Sequence, residues 1–199
     1  MSLPVRFARS AVLAALLAAS APALAQTDLS NAQIVQGLQG VAQNAPTVTA
    51  AVLRQMAQQS IAKNRGIPQA RPDFVAALDK LAQITVQIQF QLNSAIIRPE
   101  SYETLGSIAD ALHNPILLGY KFLVVGNTDA TGTREYNLKL SQERADAIAQ
   151  ALVTTFRVPA GQVEAVGLGQ EALQDPTHPD AAVNRRVQIY NIGGYVRPQ

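Results

Sequence analysis

Between residues 83 and 192 the spacing of apolar side chains switches repeatedly between two and three-to-four, and few folds accept that pattern. Residues 83–90 alternate, with Ile84, Val86, Ile88 and Phe90 against Thr85, Gln87 and Gln89, as a strand buried on one side requires. Residues 99–113 place Leu105, Ile108, Ala109 and Leu112 at helical spacing behind Pro99, a residue suited to a first helical turn. A short apolar strand at 120–125 stops at Gly126. Residues 134–156 return to the helical period through Leu140, Ala145, Ile148, Leu152 and Phe156, ahead of Pro159, which closes the helix. A short strand at 163–166, a polar loop over 169–184 and a last strand at 186–192 complete the order β-α-β-α-β-β. Strands alternating with helices predict an α/β (α+β) fold, a two-layer sandwich with helices on one face of a mixed sheet.

Ahead of this block lies an Ala- and Gln-rich helical arm, residues 26–83, with three helical pieces. Ser30 caps the first, which holds Ile34, Val35 and Leu38 and ends near Gly40. The second runs from about residue 47 through Val52, Leu53, Met56 and Ile61, and the segment 64–68 breaks it. The third spans 73 to about 83, with Asp73 as its cap and Phe74, Leu78 and Leu81 on one side. Its sequence leaves open whether the arm packs on the following domain, taken as 84–199, or stays loosely attached.

Residues 1–25 have the form of a cleaved secretory signal. Arg6 and Arg9 precede an apolar run over 11–19, and small residues end at Ala23, Leu24 and Ala25. The run falls short of the ~20 residues that span a bilayer. The chain of 199 residues carries 16 basic and 14 acidic side chains. Two of the basic ones sit in the signal, so the remainder is formally neutral. That removes the electrostatic case for a nucleic-acid partner. The absence of cysteine excludes disulfides, thiolate metal sites, Cys nucleophiles and a Cys-linked lipid anchor. Two histidines are too few for a His-rich metal cluster. No cofactor, metal or catalytic residue is expected. His113 reads as part of a helix stop and His178 as solvated loop.

The densest polar cluster runs from Gly126 through Asn127, Thr128, Asp129, Thr131, Gly132 and Thr133 into a helix carrying Asn137 and Arg144. It lies where a strand ends and a helix begins, a favoured ligand position in α/β sheets. Asp129 and Arg144 side by side suit a zwitterion, the acid taking an ammonium and the guanidinium a carboxylate. The same residues also read as a plain turn with Asp129 or Thr133 as helix cap, and spacing alone does not choose. Gly132 is not followed by Lys-Ser/Thr, so a nucleotide phosphate loop is unsupported.

Seven short motifs follow one another in order: Gly126–Asn127–Thr128–Asp129, Gly132–Thr133, Tyr136–Asn137, Leu140–Ser141, Arg144–Ala145, Gly167–Leu168–Gly169 and Asn184–Arg185–Arg186–Val187. Over roughly 85–192 they resemble the C-terminal, peptidoglycan-binding domain of the outer-membrane protein A family, shared with peptidoglycan-associated lipoproteins and flagellar stator proteins. The resemblance implies that Asp129 and Arg144 hold the diaminopimelate of the peptidoglycan stem peptide. It implies that Asn137, Thr128, Asn127, Thr131 and backbone amides complete the pocket, and that Asn184 braces the loop. Asn127 stands where many members have His. Of Arg185 and Arg186, alternation turns one inward, onto a carboxylate or helix end, and one outward. The expectation is a non-enzymatic binding protein of the periplasm, attached to the cell wall and outer-membrane region. Its arm at 26–83 is open to an outer-membrane or periplasmic protein partner. In the alternative reading the arm carries the assembly function and the C-terminal domain only localises it.

Overall fold

The computed structural model describes residues 29–40, 48–63 and 72–194. The signal expected at 1–25 and the break expected at 64–68 lie outside the described residues. The elements are α1 (Asn31–Leu38), α2 (Ala50–Lys63), α3 (Asp73–Leu78), β1 (Gln83–Val86), α4 (Tyr102–Leu112), β2 (Tyr120–Asn127), α5 (Arg134–Thr154), β3 (Val163–Gly169) and β4 (Val187–Gly194). The strands form one mixed sheet in the order β1-β4-β2-β3. Its β2–β3 pair is parallel, and β4 runs antiparallel to both β1 and β2. α5 makes the crossover that a parallel pair demands.

Alternation along β2 assigns the two faces of the sheet. Phe122 and Val124 join Ile84, Val86, Val187 and Ile189 in a core closed by Leu105, Ile108 and Leu112 of α4 and Ala145, Ile148 and Leu152 of α5. Both long helices thus lie on one face, as the periodicity predicts. Leu123 and Val125 point the other way, with Val166, Leu168 and Tyr190.

The N-terminal helices settle what their sequence left open: they pack on this sheet. α1 begins with a full capping box, in which Ser30 and Gln33 satisfy each other's backbone N–H. It sends Ile34, Val35 and Leu38 into the α4–α5 core. α2 and α3 cover the opposite face with Leu53, Ala57, Phe74, Val75 and Leu78. Polar ties fasten α2: Ala50 N–H donates to Glu164 at 3.1 Å, and Ser60 Oγ donates to Glu171 at 2.6 Å.

Several boundaries differ from the sequence reading. Pro72, not Asp73, is the N-cap of α3, and the helix ends at Leu78 instead of near 83. β1 stops at Val86, because its partner β4 begins only at Val187. Ile88 and Phe90 keep the alternation but leave the ladder, and Phe90 pairs with Ile97 in an isolated bridge. β2 runs on through Gly126 to Asn127, and β3 reaches Gly169. α5 ends at Thr154. Arg157 then adopts a positive φ of 63°, the left-handed position that ends many helices.

Gly167 and Gly169 are the last residues of β3 and pass directly beneath α5. A Cβ at Gly167 would sit 2.1 Å from the Gln142 backbone nitrogen. Gly169 combines a φ of 54° with a Cβ position 2.8 Å from Leu138 N. This closeness seats the start of α5 beside the ends of β2 and β3, which is where the site forms.

Candidate functional site

At the C-terminal end of β2 the chain turns sharply and is held on both sides. Thr128 N–H donates to Gly169 O, and Ala130 N–H donates to Pro179 O. Asp129 Oδ1 accepts from Thr131 N–H at 2.9 Å, closing the turn. Thr133 is the cap of α5, its Oγ1 accepting from Tyr136 N–H. Asp129 therefore does not cap the helix, and its carboxylate faces a cleft of about 550 Å³. Asn137 is buried one turn into α5. Its Nδ2 donates to Asp129 O at 3.1 Å and to Gln170 Oε1 at 2.7 Å, which fixes the Asp129 backbone.

Arg144 lies nearly three turns into α5 and reaches the same cleft. Its Nε donates to Ser94 O at 3.0 Å, and its guanidinium carbon stacks 4.9 Å from the centre of the Phe90 ring. Burial pulls its pKa below the ordinary arginine value, and Tyr136 and Asp129 oppose that shift. An arginine so held stays charged. With Nε engaged on Ser94 O, the Nη groups lie on the cleft side of the residue.

Five expected residues line one cleft: Thr128, Asp129, Thr131, Asn137 and Arg144. Two do not. Asn127 lies beneath it, in a cavity of about 40 Å³ beside Phe90 and Ser141. Asn184 is fully buried and braces the 175–180 loop, accepting from Asp175 N–H and donating to His178 O and Pro179 O. Bracing is the role the resemblance implied for it; direct ligand contact is not what its burial permits. The buried Thr128 Oγ1 and Asn127 Oδ1 have no hydrogen-bond partner among the described residues.

Arg185 was not among the expected ligand contacts, although the alternation of Arg185 and Arg186 contained the signal. It is the outward member, half exposed, and its Nη1 lies 2.6 Å from Asp129 Oδ2. Arg186 points inward and meets Ala172 O, Asn184 O and Gln188 Oε1. Asn184 O is the last carbonyl of the 3-10 helix Ala182–Asn184, so the inward arginine meets a helix end as expected. Phe90 and Tyr136 also line the cleft.

The outer wall of this region is the 175–180 turn. Thr177 and His178 both bond the Asp175 carboxylate, holding its pKa down at about 2. A depressed carboxylate stabilises its turn above the unfolded pKa near 4, and that contribution disappears as pH falls through about 2. A carboxyl titration followed by NMR should therefore give Asp175 a midpoint near 2; a midpoint near 4 would mean the turn does not hold it.

The sheet-end cleft sets one acid, Asp129, against two guanidiniums, Arg144 and Arg185. Residues 89–186 match the family model described as the OmpA family, and this segment is an OmpA family domain. It is 31% identical over 114 residues to outer membrane porin F of Pseudomonas aeruginosa, covering 56% of this chain and 32% of the relative. It is 35% identical over 102 residues to the peptidoglycan-associated lipoprotein of the same organism, covering 50% of this chain and 58% of that protein. Among solved structures, the peptidoglycan-associated lipoprotein from Burkholderia pseudomallei is 32% identical, with 52% of this chain and 87% of that chain covered and a TM-score of 0.44. The chain spans between a third and three fifths of the length of these two curated relatives.

Proposed function

We propose that the domain binds peptidoglycan non-covalently in the cell envelope, through the diaminopimelate of the stem peptide. The observation that carries this reading is the placement of Asp129 and the Nη edge of Arg144 in one cleft. Diaminopimelate ends in an amino acid head, an ammonium and a carboxylate on one carbon. Asp129 accepts the ammonium and Arg144 takes the carboxylate, with bidentate geometry available at the arginine. Arg185, half exposed and now on Asp129, yields its place to the ammonium and remains close enough to share the ligand carboxylate. Thr128 Oγ1 supplies a further polar contact. The similarity to a peptidoglycan-associated lipoprotein supports peptidoglycan as the partner.

Partner binding by the N-terminal helices has less behind it. Leu53, Ala57, Phe74, Val75 and Leu78 are buried against the sheet, while Val52 and Met56 of the expected α2 stripe stay exposed.

Co-sedimentation with purified sacculi tests the reading. The chain should pellet with diaminopimelate-type wall, be released by free meso-diaminopimelate, and stay in solution with wall carrying lysine at that position. Equal pelleting with both walls would remove diaminopimelate as the determinant, and no pelleting with either would overturn wall binding.

A further inference from the structure

Residues 87–93 line one side of the cleft, and the hydrogen bonds of this segment leave it an open β-edge. In the β1–β4 ladder the bonded residues of β1 are the even-numbered ones. Asn191 N–H donates to Ala82 O, and the register continues as Ile84 with Ile189 and Val86 with Val187. Ile88 and Phe90 follow with the same parity, so their N–H and C=O groups point toward the place where β4 would continue. β4 is not there, because the chain has turned away into the short 3-10 helix Ala182–Asn184 and Arg185 N–H bonds back to Ala182 O.

The odd-numbered residues are already engaged on the opposite side. Arg98 N–H donates to Gln89 O, Gln91 N–H donates to Ile96 O, and Gln89 N–H donates to Ser101 Oγ. The backbone groups of Ile88 and Phe90 have no hydrogen-bond partner among the described residues. The cleft fills the gap between this edge and Asp129, Arg144 and Arg185.

We propose that a peptide ligand docks in this cleft in extended form as an added strand on the Ile88–Phe90 edge, its charged side-chain head between Asp129 and Arg144. This rests on the peptidoglycan reading above and specifies which part of the wall is gripped: the main chain of the stem peptide as well as its zwitterionic head. Main-chain pairing supplies affinity that ignores side-chain identity, while pockets beside the edge supply selection. Each edge residue offers one donor and one acceptor on the same side. One extended peptide unit is enough to use the pair at Ile88, so the mode does not require a regular ladder. The Phe90 side chain packs beneath Arg144, which ties the edge to the charged site.

Amide hydrogen exchange, read by NMR on the full chain with and without a soluble disaccharide-tripeptide muropeptide carrying diaminopimelate, tests this. Exchange at Ile88 and Phe90 should slow several-fold on saturation, while Gln89 and Gln91, already bonded, hardly change. If the amides of 128–131 shift but Ile88 and Phe90 exchange as in the free chain, strand addition is overturned and the zwitterion site stands. Equal slowing across 88–91 would indicate simple covering and also overturn pairing. If neither region responds, the wall-binding reading fails and this mode fails with it.

Discussion

Arg144→Lys and Asp129→Asn should each lose most binding to diaminopimelate-type peptidoglycan while the fold survives. Truncating one side of a desolvated, hydrogen-bonded charge pair costs about 2–5 kcal/mol, and each 1.4 kcal/mol is tenfold, so affinity falls by roughly 30-fold or more. Lysine at position 144 keeps the charge. It loses the planar fork that faces the ligand, the Nε donor to Ser94 O and the flat contact with Phe90. Asparagine at 129 keeps an oxygen for Thr131 N–H and loses only the charge. Arg185, which then lacks its carboxylate, is 52% exposed, and an exposed pair contributes about 0–1 kcal/mol. Thermal melts of both variants should therefore stay close to the parent while retention on sacculi collapses. Parent-like pelleting by both variants would disprove the site.

The largest loss of stability is expected from Glu171→Ala. Glu171 is 1% exposed. Its carboxylate receives both Nε and Nη2 of Arg134 and the Ser60 hydroxyl. It thereby joins the first residue of α5, the end of β3 and the outer helix α2. Removing it takes the Glu171 carboxylate away from the Arg134 guanidinium, 10% exposed by its side chain, a loss of about 3–5 kcal/mol. For a chain of this size each kcal/mol lowers Tm by about 2–4 °C, so the melt should move by roughly 6–20 °C. The double change Glu171→Met with Arg134→Met should recover most of it, because replacing both members of a buried pair with apolar groups is often neutral. A Glu171→Ala melt within a degree of the parent would show that the pair holds nothing together.

Element order and the covered face of each long helix are legible in the apolar periods, since a period depends only on the chain itself. The run Phe122–Leu123–Val124–Val125 is apolar at every position, as in strands buried on both faces. The periods of α2 and α3 do not say whether the arm packs on this strand or stays loosely attached; in the fold these two helices cover its second face. The end of β1 was illegible for a related reason: Ile88 and Phe90 alternate like Ile84 and Val86, and only the departure of β4 at Arg185 ends the ladder. In the site, Asp129 and Arg144 stand in short sequence motifs. The contacts that hold them, Ser94 O and Phe90 for Arg144 and Arg185 for Asp129, come from segments about 50 residues away in sequence.

The sheet order β1-β4-β2-β3 also sets a timetable. The last strand to be made is the one that joins β1 to β2, and Asn191 within it donates to Leu38 O across 153 residues. Until residues 187–194 emerge from the ribosome, β1 lacks its sheet neighbour and both flanking cores lack a side. Closing such long loops is slow. A chain wired this way stays unfinished while it is made N-terminus first and completes this sheet only once residues 187–194 have arrived.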